Sequence, residues 1–355
     1  MNKDKLMKAA LICAVQIAHQ HLTCLGSSPG IELAGVCDLS RVLAESAAEQ
    51  YGAAAWFTDH RAMLGEARPD VVHITTPPGS HFRLAMDALE AGAHVIVEKP
   101  ITTGRDDLHA LLDAAAEHGR IVVEDYNYLF NGPIRRIVDL VRSGELGEVV
   151  DVEVRINADI LDPAHPFADP NIPHPTMALP GGPIADYLPH MASMAHLFVG
   201  SHRSVRSQWW KRAADSPLPY DEFRAAVVAE RGTAALSFSA SSKPEMFWVR
   251  VNGTNMRATA ELFDMTLVVN RPRGGPRPLS RVRDRLAEAR DIRRATHRAF
   301  VQKFSARPSV FDGLWMLVAR TYEAARTGGE PPVSPRQIAE VNDLIAALVA
   351  EEERS

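Results

Sequence analysis

The sequence predicts an α/β fold in two parts. A parallel sheet with helices between its strands comes first, and an α+β part with a large, open, mostly antiparallel sheet follows. Two observations carry this. The first third of the chain alternates short apolar runs with helical patterns, whereas beyond residue 123 apolar runs follow one another across short turns. The 355 residues suit two domains, and 46% hydrophobic with 23% charged residues is ordinary for a folded chain. The expected division is 1–123 and 124–355, with the last helix free to pack back on the first domain.

In the first part, Ala9–Val15, Glu32–Cys37, Ala54–Phe57, Asp70–Ile74, His94–Glu98 and Ile121–Glu124 read as strands. Between them, Ile17–Ser27, Arg41–Gln50, His60–Glu66, Phe82–Ala91 and Asp106–His118 read as helices. The first strand, its helix and the acidic end of the second strand match one half of a Rossmann domain. After a helix around Pro133–Ser143, strands are expected at Val149–Asn157, Ser204–Trp210, Phe223–Glu230, Ala234–Ala240, Phe247–Asn252, Ala258–Phe263 and Thr266–Asn270. Arg231-Gly232 and Asn252-Gly253 read as turns, the second as a hairpin. Asp162–Gly182 is Pro-rich and irregular. Arg271–Arg298 carries ten Arg against Asp284, Glu288 and Asp291, and reads as a solvated helix, an oligomer contact or a contact for an anionic partner.

Charge and cysteine content narrow the classes. With 39 basic and 44 acidic side chains the net charge is −5, which disfavours a nucleic-acid-binding role for the whole chain. Cys13, Cys24 and Cys37 do not make a disulfide framework, so a reducing compartment is expected. Lys3, Lys5 and Lys8 before Ala9–Ala18 resemble a signal peptide's layout. The run is short, contains Gln16 and lacks a cleavage site. The chain is read as cytoplasmic, with no membrane partner.

A dinucleotide site needs a tight glycine turn between the first strand and helix. Cys13-Ala14-Val15-Gln16-Ile17-Ala18 keeps only the last small residue of that pattern. Cys13 and Val15 put side chains where glycines let the chain turn and approach a pyrophosphate. Asp38 points the other way, because an acid ending the second strand binds the ribose hydroxyls of NAD and disfavours NADP. It also fits a plain turn aspartate. Thr76, Pro77 and His81 follow a strong strand, and Glu98-Lys99-Pro100 closes another; strand carboxyl ends are where such sheets bind ligands. Beside a ligand, Lys99 could handle a proton. A Glu–Lys surface pair is the bland alternative. Cys13 reads either as a reactive thiol or as core.

The ordered set of motifs resembles the Gfo/Idh/MocA family, relatives of glucose–fructose oxidoreductase and inositol dehydrogenase. It consists of Thr75-Thr76-Pro77-Pro78 with His81, Ala91-Gly92 leading to Glu98-Lys99-Pro100, and Ser143-Gly144-Glu145-Leu146-Gly147. Gly181-Gly182-Pro183-Ile184-Ala185-Asp186-Tyr187-Leu188-Pro189-His190 and Pro331-Pro332-Val333-Ser334 complete it. The resemblance implies a Rossmann domain, an open-sheet domain, a nicotinamide cofactor and sugar or polyol substrates. It implies catalytic roles for Lys99, Asp186 and His190: His190 takes a hydroxyl proton, Lys99 relays it and Asp186 orients. The i, i+4 spacing of Asp186 and His190 suits one face of a helical turn, which Pro189 places at a helix start.

The expected cofactor residues are Val15, Gln16, Ile17, Asp38, Thr76, Pro77, His81, Glu98 and Lys99, for NAD. Asn127, Tyr128 and His174 are the expected substrate residues. Leu129 stands where the family often has arginine, and Ser193 where it often has aspartate; both imply a changed pocket. His165, His174, His190 and His196 have no standard ligand spacing, and no metal site is expected. The function expected is hydride transfer to or from a sugar-like or cyclic polyol hydroxyl or ketone. The alternative is a non-redox lyase or isomerase, or a silent partner subunit, because the glycine motif is lost at Cys13 and Val15. Covering the open sheet predicts a homodimer or homotetramer.

Overall fold

The computed structural model describes residues 6–14, 17–162, 165, 175–272, 276–304 and 312–350. They form two compact units. The first takes the chain up to Tyr126 together with Leu314–Ala339, and the second takes Asn127–Gly313 and the residues from Glu340 onward.

The first unit runs β1 (Met7–Ile12), α1 (Ala18–Ser27), β2 (Ile31–Cys37), α2 (Arg41–Tyr51), β3 (Trp56–Phe57), α3 (His60–Ala67), β4 (Val71–Ile74), α4 (His81–Glu90), β5 (His94–Val97), α5 (Arg105–Glu117) and β6 (Val122–Glu124). Every strand pair is parallel, in the order β3-β2-β1-β4-β5-β6. That is the Rossmann order, with the switch point between β1 and β4. The reason is in the strand sequences. Val71–Ile74 and His94–Val97 are apolar runs without alternation, buried at all but one position, as a sheet covered on both faces requires. The helices begin and end on local chemistry: Ser40 caps α2 through the Leu43 amide, and Gly52 ends it in a left-handed conformation.

The second unit continues with α6 (Gly132–Arg142), β7 (Val149–Asn157), α7 (Leu188–Val199), β8 (His202–Trp210), β9 (Glu222–Ala229), β10 (Thr233–Ser239), β11 (Met246–Gly253), β12 (Arg257–Glu261), β13 (Thr266–Asn270) and α8 (Arg277–Phe304). Its sheet has the order β13-β12-β11-β7-β10-β9-β8. All pairs are antiparallel except β7 with β10, so the sheet is mixed. The strands alternate buried and exposed residues, and α7 packs against β7 and β10 on the buried face. Phe223, Leu236, Phe238 and Val249 from the strands and Met191, Met194 and Ala195 from α7 are all enclosed. The last elements are α9 (Asp312–Thr327) and α10 (Pro335–Ala350).

One expectation needs adjusting, and two regions take definite form. Asn252-Gly253 is not the hairpin turn; both residues lie in β11, and the chain reverses through Thr254–Met256. Asn252 instead bonds Asp151 across the sheet at 2.7 Å, and Gly253 is needed because a Cβ there would overlap Leu146. The open face is mixed: Arg206, Gln208 and Arg224 stand on it beside Ala226, Ala235 and Trp248, with Val228 exposed nearby. The Arg-rich segment forms α8, which lies along β13 and carries the pairs Arg257–Glu288 (3.0 Å) and Arg285–Glu288 (2.8 Å). It is not uniformly polar, since Leu279, Val282, Leu286 and Phe300 are exposed along it.

Candidate active site

The first turn of the dinucleotide region keeps a glycine's backbone without the glycine. Cys13 sits at φ 80°, a region costly for a residue with a Cβ. Hydrogen bonds to Cys37 and from the single Thr75 hydroxyl proton hold it there. Its N–H donates to the Cys37 carbonyl (2.8 Å), and the Thr75 hydroxyl reaches the carbonyls of Cys13 (2.7 Å) and Ile12 (3.0 Å). Val15 and Gln16 lie outside the described residues. Ile17 is the N-cap residue of α1, and no side chain caps that end. Its amides and positive dipole end suit an anionic group.

Asp38 ends β2 and closes the same turn. One carboxylate oxygen accepts from the Ala14 amide (2.9 Å), the other from the Ser40 amide (2.8 Å). Each oxygen keeps a further lone pair for a ribose hydroxyl. The retained turn, the uncapped helix end and this carboxylate fit a dinucleotide.

The strand ends beyond β4 and β5 are tied by His81. Its ring is enclosed, with Nε2 2.6 Å from the Thr76 carbonyl and Nδ1 2.8 Å from the Pro100 carbonyl. Burial pushes its pKa down, partly offset by those two carbonyls. His81 thus acts through the backbone on either side of Thr76 and Lys99. Thr76 takes a hydrogen bond from the Ser80 hydroxyl (2.8 Å), Pro77 is exposed, and Lys99 is half-buried.

Glu98 points inward rather than toward the surface. Its carboxylate lies 3.2 Å from His21 Nε2, and Asp125 lies 3.6 Å from the same nitrogen, all three enclosed. His21 Nδ1 is 2.8 Å from His73 Nδ1, and His73 Nε2 is 3.1 Å from the Tyr322 hydroxyl. Burial opposes charge on His21, yet Asp125 and Glu98 together push it up to about 9. Burial and the charge of Glu98 push Asp125 up, while His21 holds Glu98 down against the effect of its own burial. Burial and His21 keep His73 neutral. His21 therefore donates from Nδ1 to His73, and His73 donates from Nε2 to Tyr322. Sequence reasoning missed this chain. The signal was a histidine inside the apolar run Val71–Ile74, which a buried strand tolerates only with partners.

In the second unit, Asp186 ends a short 3₁₀ helix (Gly182–Asp186), and His190 lies in the first turn of α7 beside Pro189. The two are thus on successive helical segments rather than one α-helical turn. Tyr128 meets the His190 ring edge-on at 4.7 Å and Phe247 at 4.9 Å, so a substrate residue and a catalytic residue named from sequence share an aromatic cluster. Asn127 is buried beside Tyr128, and Leu129 packs inward, as an arginine could not without a partner. Ser193 is enclosed and donates to the His190 carbonyl (3.2 Å). His174 lies outside the described residues. Among the described residues, the one group able to hold a metal is His21, Glu98 and Asp125.

Comparison with known proteins matches this architecture. Residues 7–126 match the oxidoreductase family with an NAD-binding Rossmann fold, and residues 134–259 match the GFO/IDH/MocA C-terminal domain. The chain belongs to the Gfo/Idh/MocA family. D-glucoside 3-dehydrogenase of Escherichia coli is 33% identical over 144 residues, 40% of this chain and 41% of that protein. D-xylose 1-dehydrogenase (NADP(+)) 2 of Haloferax volcanii is 28% identical over 232 residues, 64% of this chain and 68% of that one. The chain thus spans about two-fifths to two-thirds of the length of these curated relatives. The fold extends further. The WlbA dehydrogenase of Bordetella pertussis, solved with NADH and UDP-GlcNAcA, superposes with TM-score 0.76 at 17% identity, covering 100% of this chain and 97% of that one. Levoglucosan dehydrogenase with NADH and levoglucosan gives 0.79 at 18% identity, covering 98% of each.

Proposed function

We propose that the chain is an NAD-preferring dehydrogenase acting on a hydroxyl, or the matching ketone, of a sugar-like or cyclic polyol substrate. The observation that carries this is the left-handed backbone at Cys13, which stands where a dinucleotide loop has its first glycine. The rival readings, a non-redox lyase or isomerase and a silent partner subunit, rest on the loss of that glycine. A closed loop would not need a left-handed cysteine tied to Cys37 and Thr75.

NAD, when bound, accepts or returns the hydride. The chain's residues do the rest. Asp38 would take the ribose hydroxyls, the N-terminus of α1 at Ile17 the pyrophosphate, and Thr76, Pro77 and Lys99 the cofactor's far end. His190 removes the substrate hydroxyl proton, Lys99 relays it and Asp186 orients the histidine. Asn127 and Tyr128 would hold the substrate, with Tyr128 also fixing the His190 ring. His81 and Glu98 support the strand ends from within. The relatives named for glucoside and xylose oxidation support a sugar-like substrate. We also assign a homodimer or homotetramer built through the open sheet, and a cytoplasmic setting. Among the described residues no helix is long and apolar enough to cross a membrane.

Calorimetric titration with NAD(H) and NADP(H) tests the reading, followed by a screen of sugar alcohols and ketones. Micromolar binding, about −8 kcal/mol, with NAD favoured is the expected result. No binding of either at millimolar concentration removes the dehydrogenase reading and leaves the non-redox rivals. A monomer by light scattering removes the oligomer.

A further inference from the structure

We propose that His21, Glu98 and Asp125 form a buried structural site for a divalent transition cation, with zinc as its probe. The site lies inside the first unit and does not depend on the dehydrogenase reading. It joins α1 through His21, the end of β5 through Glu98 and the residue after β6 through Asp125.

Distance is the first argument. A tetrahedral ion at ~2.1 Å from nitrogen and oxygen ligands sets its donors roughly 3.4 Å apart. His21 Nε2 is 3.2 Å from Glu98 Oε1 and 3.6 Å from Asp125 Oδ2, and the three donor atoms lie within 4.8 Å of one another. The second argument is unsatisfied valence. Both Asp125 carboxylate oxygens are fully buried, and neither has a hydrogen-bond partner. The carboxylate's nearest protein partner is His21 Nε2 at 3.6 Å, beyond hydrogen-bond reach, and a buried carboxylate without hydrogen bonds is costly. An ion supplies what the protein donors do not.

Charge is the third argument. Two carboxylates face one histidine, so a protonated His21 leaves one negative charge over inside the unit. A divalent ion bound to neutral His21 and both carboxylates brings the cluster to zero. The fourth argument is orientation. A ligating histidine donates its other ring N–H to a fixed acceptor, which sets its tautomer. His21 does this with His73 at 2.8 Å, and Tyr322 fixes His73 in turn. Imidazole with two carboxylates suits zinc and its neighbours among the first-row ions better than calcium, which takes oxygen ligands only.

Because all three side chains are enclosed, the ion enters as the unit folds and does not exchange freely afterward. The experiment follows from that. The full chain, purified without a metal-affinity step, is unfolded in denaturant with chelator. It is refolded with or without ZnCl2, desalted and analysed for metal by mass spectrometry. Wild type refolded with zinc should retain about one ion per chain. Its melting temperature should rise by several degrees over the zinc-free sample. Asp125→Asn, which keeps the shape, and His21→Gln should each retain less than a tenth as much. Zinc-edge absorption of the loaded wild type should show a nitrogen and oxygen shell without sulfur. A wild type that retains no zinc overturns the site, and the cluster then balances itself by sharing a proton between its carboxylates. Retention equal to wild type in either variant, or sulfur in the shell, also overturns it.

Discussion

The two sheets treat polar groups in opposite ways. The parallel sheet is covered on both faces, so the polar side chains at its heart must satisfy one another: His21, His73, Glu98, Asp125 and Tyr322 form one enclosed chain. The mixed sheet has an open face, where Arg206, Gln208 and Arg224 meet water and Arg250 pairs with Glu153 at 3.2 Å while lying over the Trp248 ring. A polar residue in the first sheet is thus a structural commitment. In the second it is a surface property, open to change and to use as an interface.

The largest test of that contrast is catalytic, because the proposed chemistry draws on both units. Lys99→Ala in the first and His190→Ala in the second should each cut turnover by ~10²–10⁴, with circular dichroism unchanged. Loss in only one variant would confine the chemistry to one unit. A stability comparison comes next. Tyr322→Phe strands the His73 N–H in the interior, and urea unfolding should register a loss of about 1–3 kcal/mol. Arg224→Ala on the open face should stay within about 0.5 kcal/mol. Equal losses would erase the distinction. A small gain is expected at Cys13→Gly. Relief of the left-handed strain is worth roughly 1–2 kcal/mol and glycine's extra chain entropy takes back about 0.5–1, a net gain of roughly 0–1.5 kcal/mol. NAD should bind a few-fold tighter in the same variant. A net loss in unfolding experiments would mean that the thiol packs favourably.

Much of this fold is legible in sequence, because period and burial agree there. Runs such as Val71–Ile74 announce a strand buried on both faces, and the alternation through Val149–Asn157 a strand with two different faces. Local chemistry misleads where a distant contact decides. Asn252-Gly253 has the letters of a tight turn, but Gly253 is there for the close passage of Leu146. The missing glycine at Cys13 hid a turn whose shape survives through Thr75, since hydrogen bonds from another strand cannot be read from the local motif. Glu98 belongs to a recognised motif, yet its carboxylate faces inward because His21 and Asp125, 77 residues back and 27 on, meet there. Proximity of that kind is a property of topology, not of spacing.

The first unit is interrupted in the chain, and that orders its assembly on the ribosome. Its six strands emerge within the first 126 residues, but Tyr322, which completes the His73 chain, is translated almost two hundred residues later. Until then His73 waits without its hydroxyl partner, while residues 127–313 of the second unit emerge contiguously. A chain that ends at Gly313 therefore holds all six strands of the first unit but lacks Tyr322, the hydroxyl partner of His73.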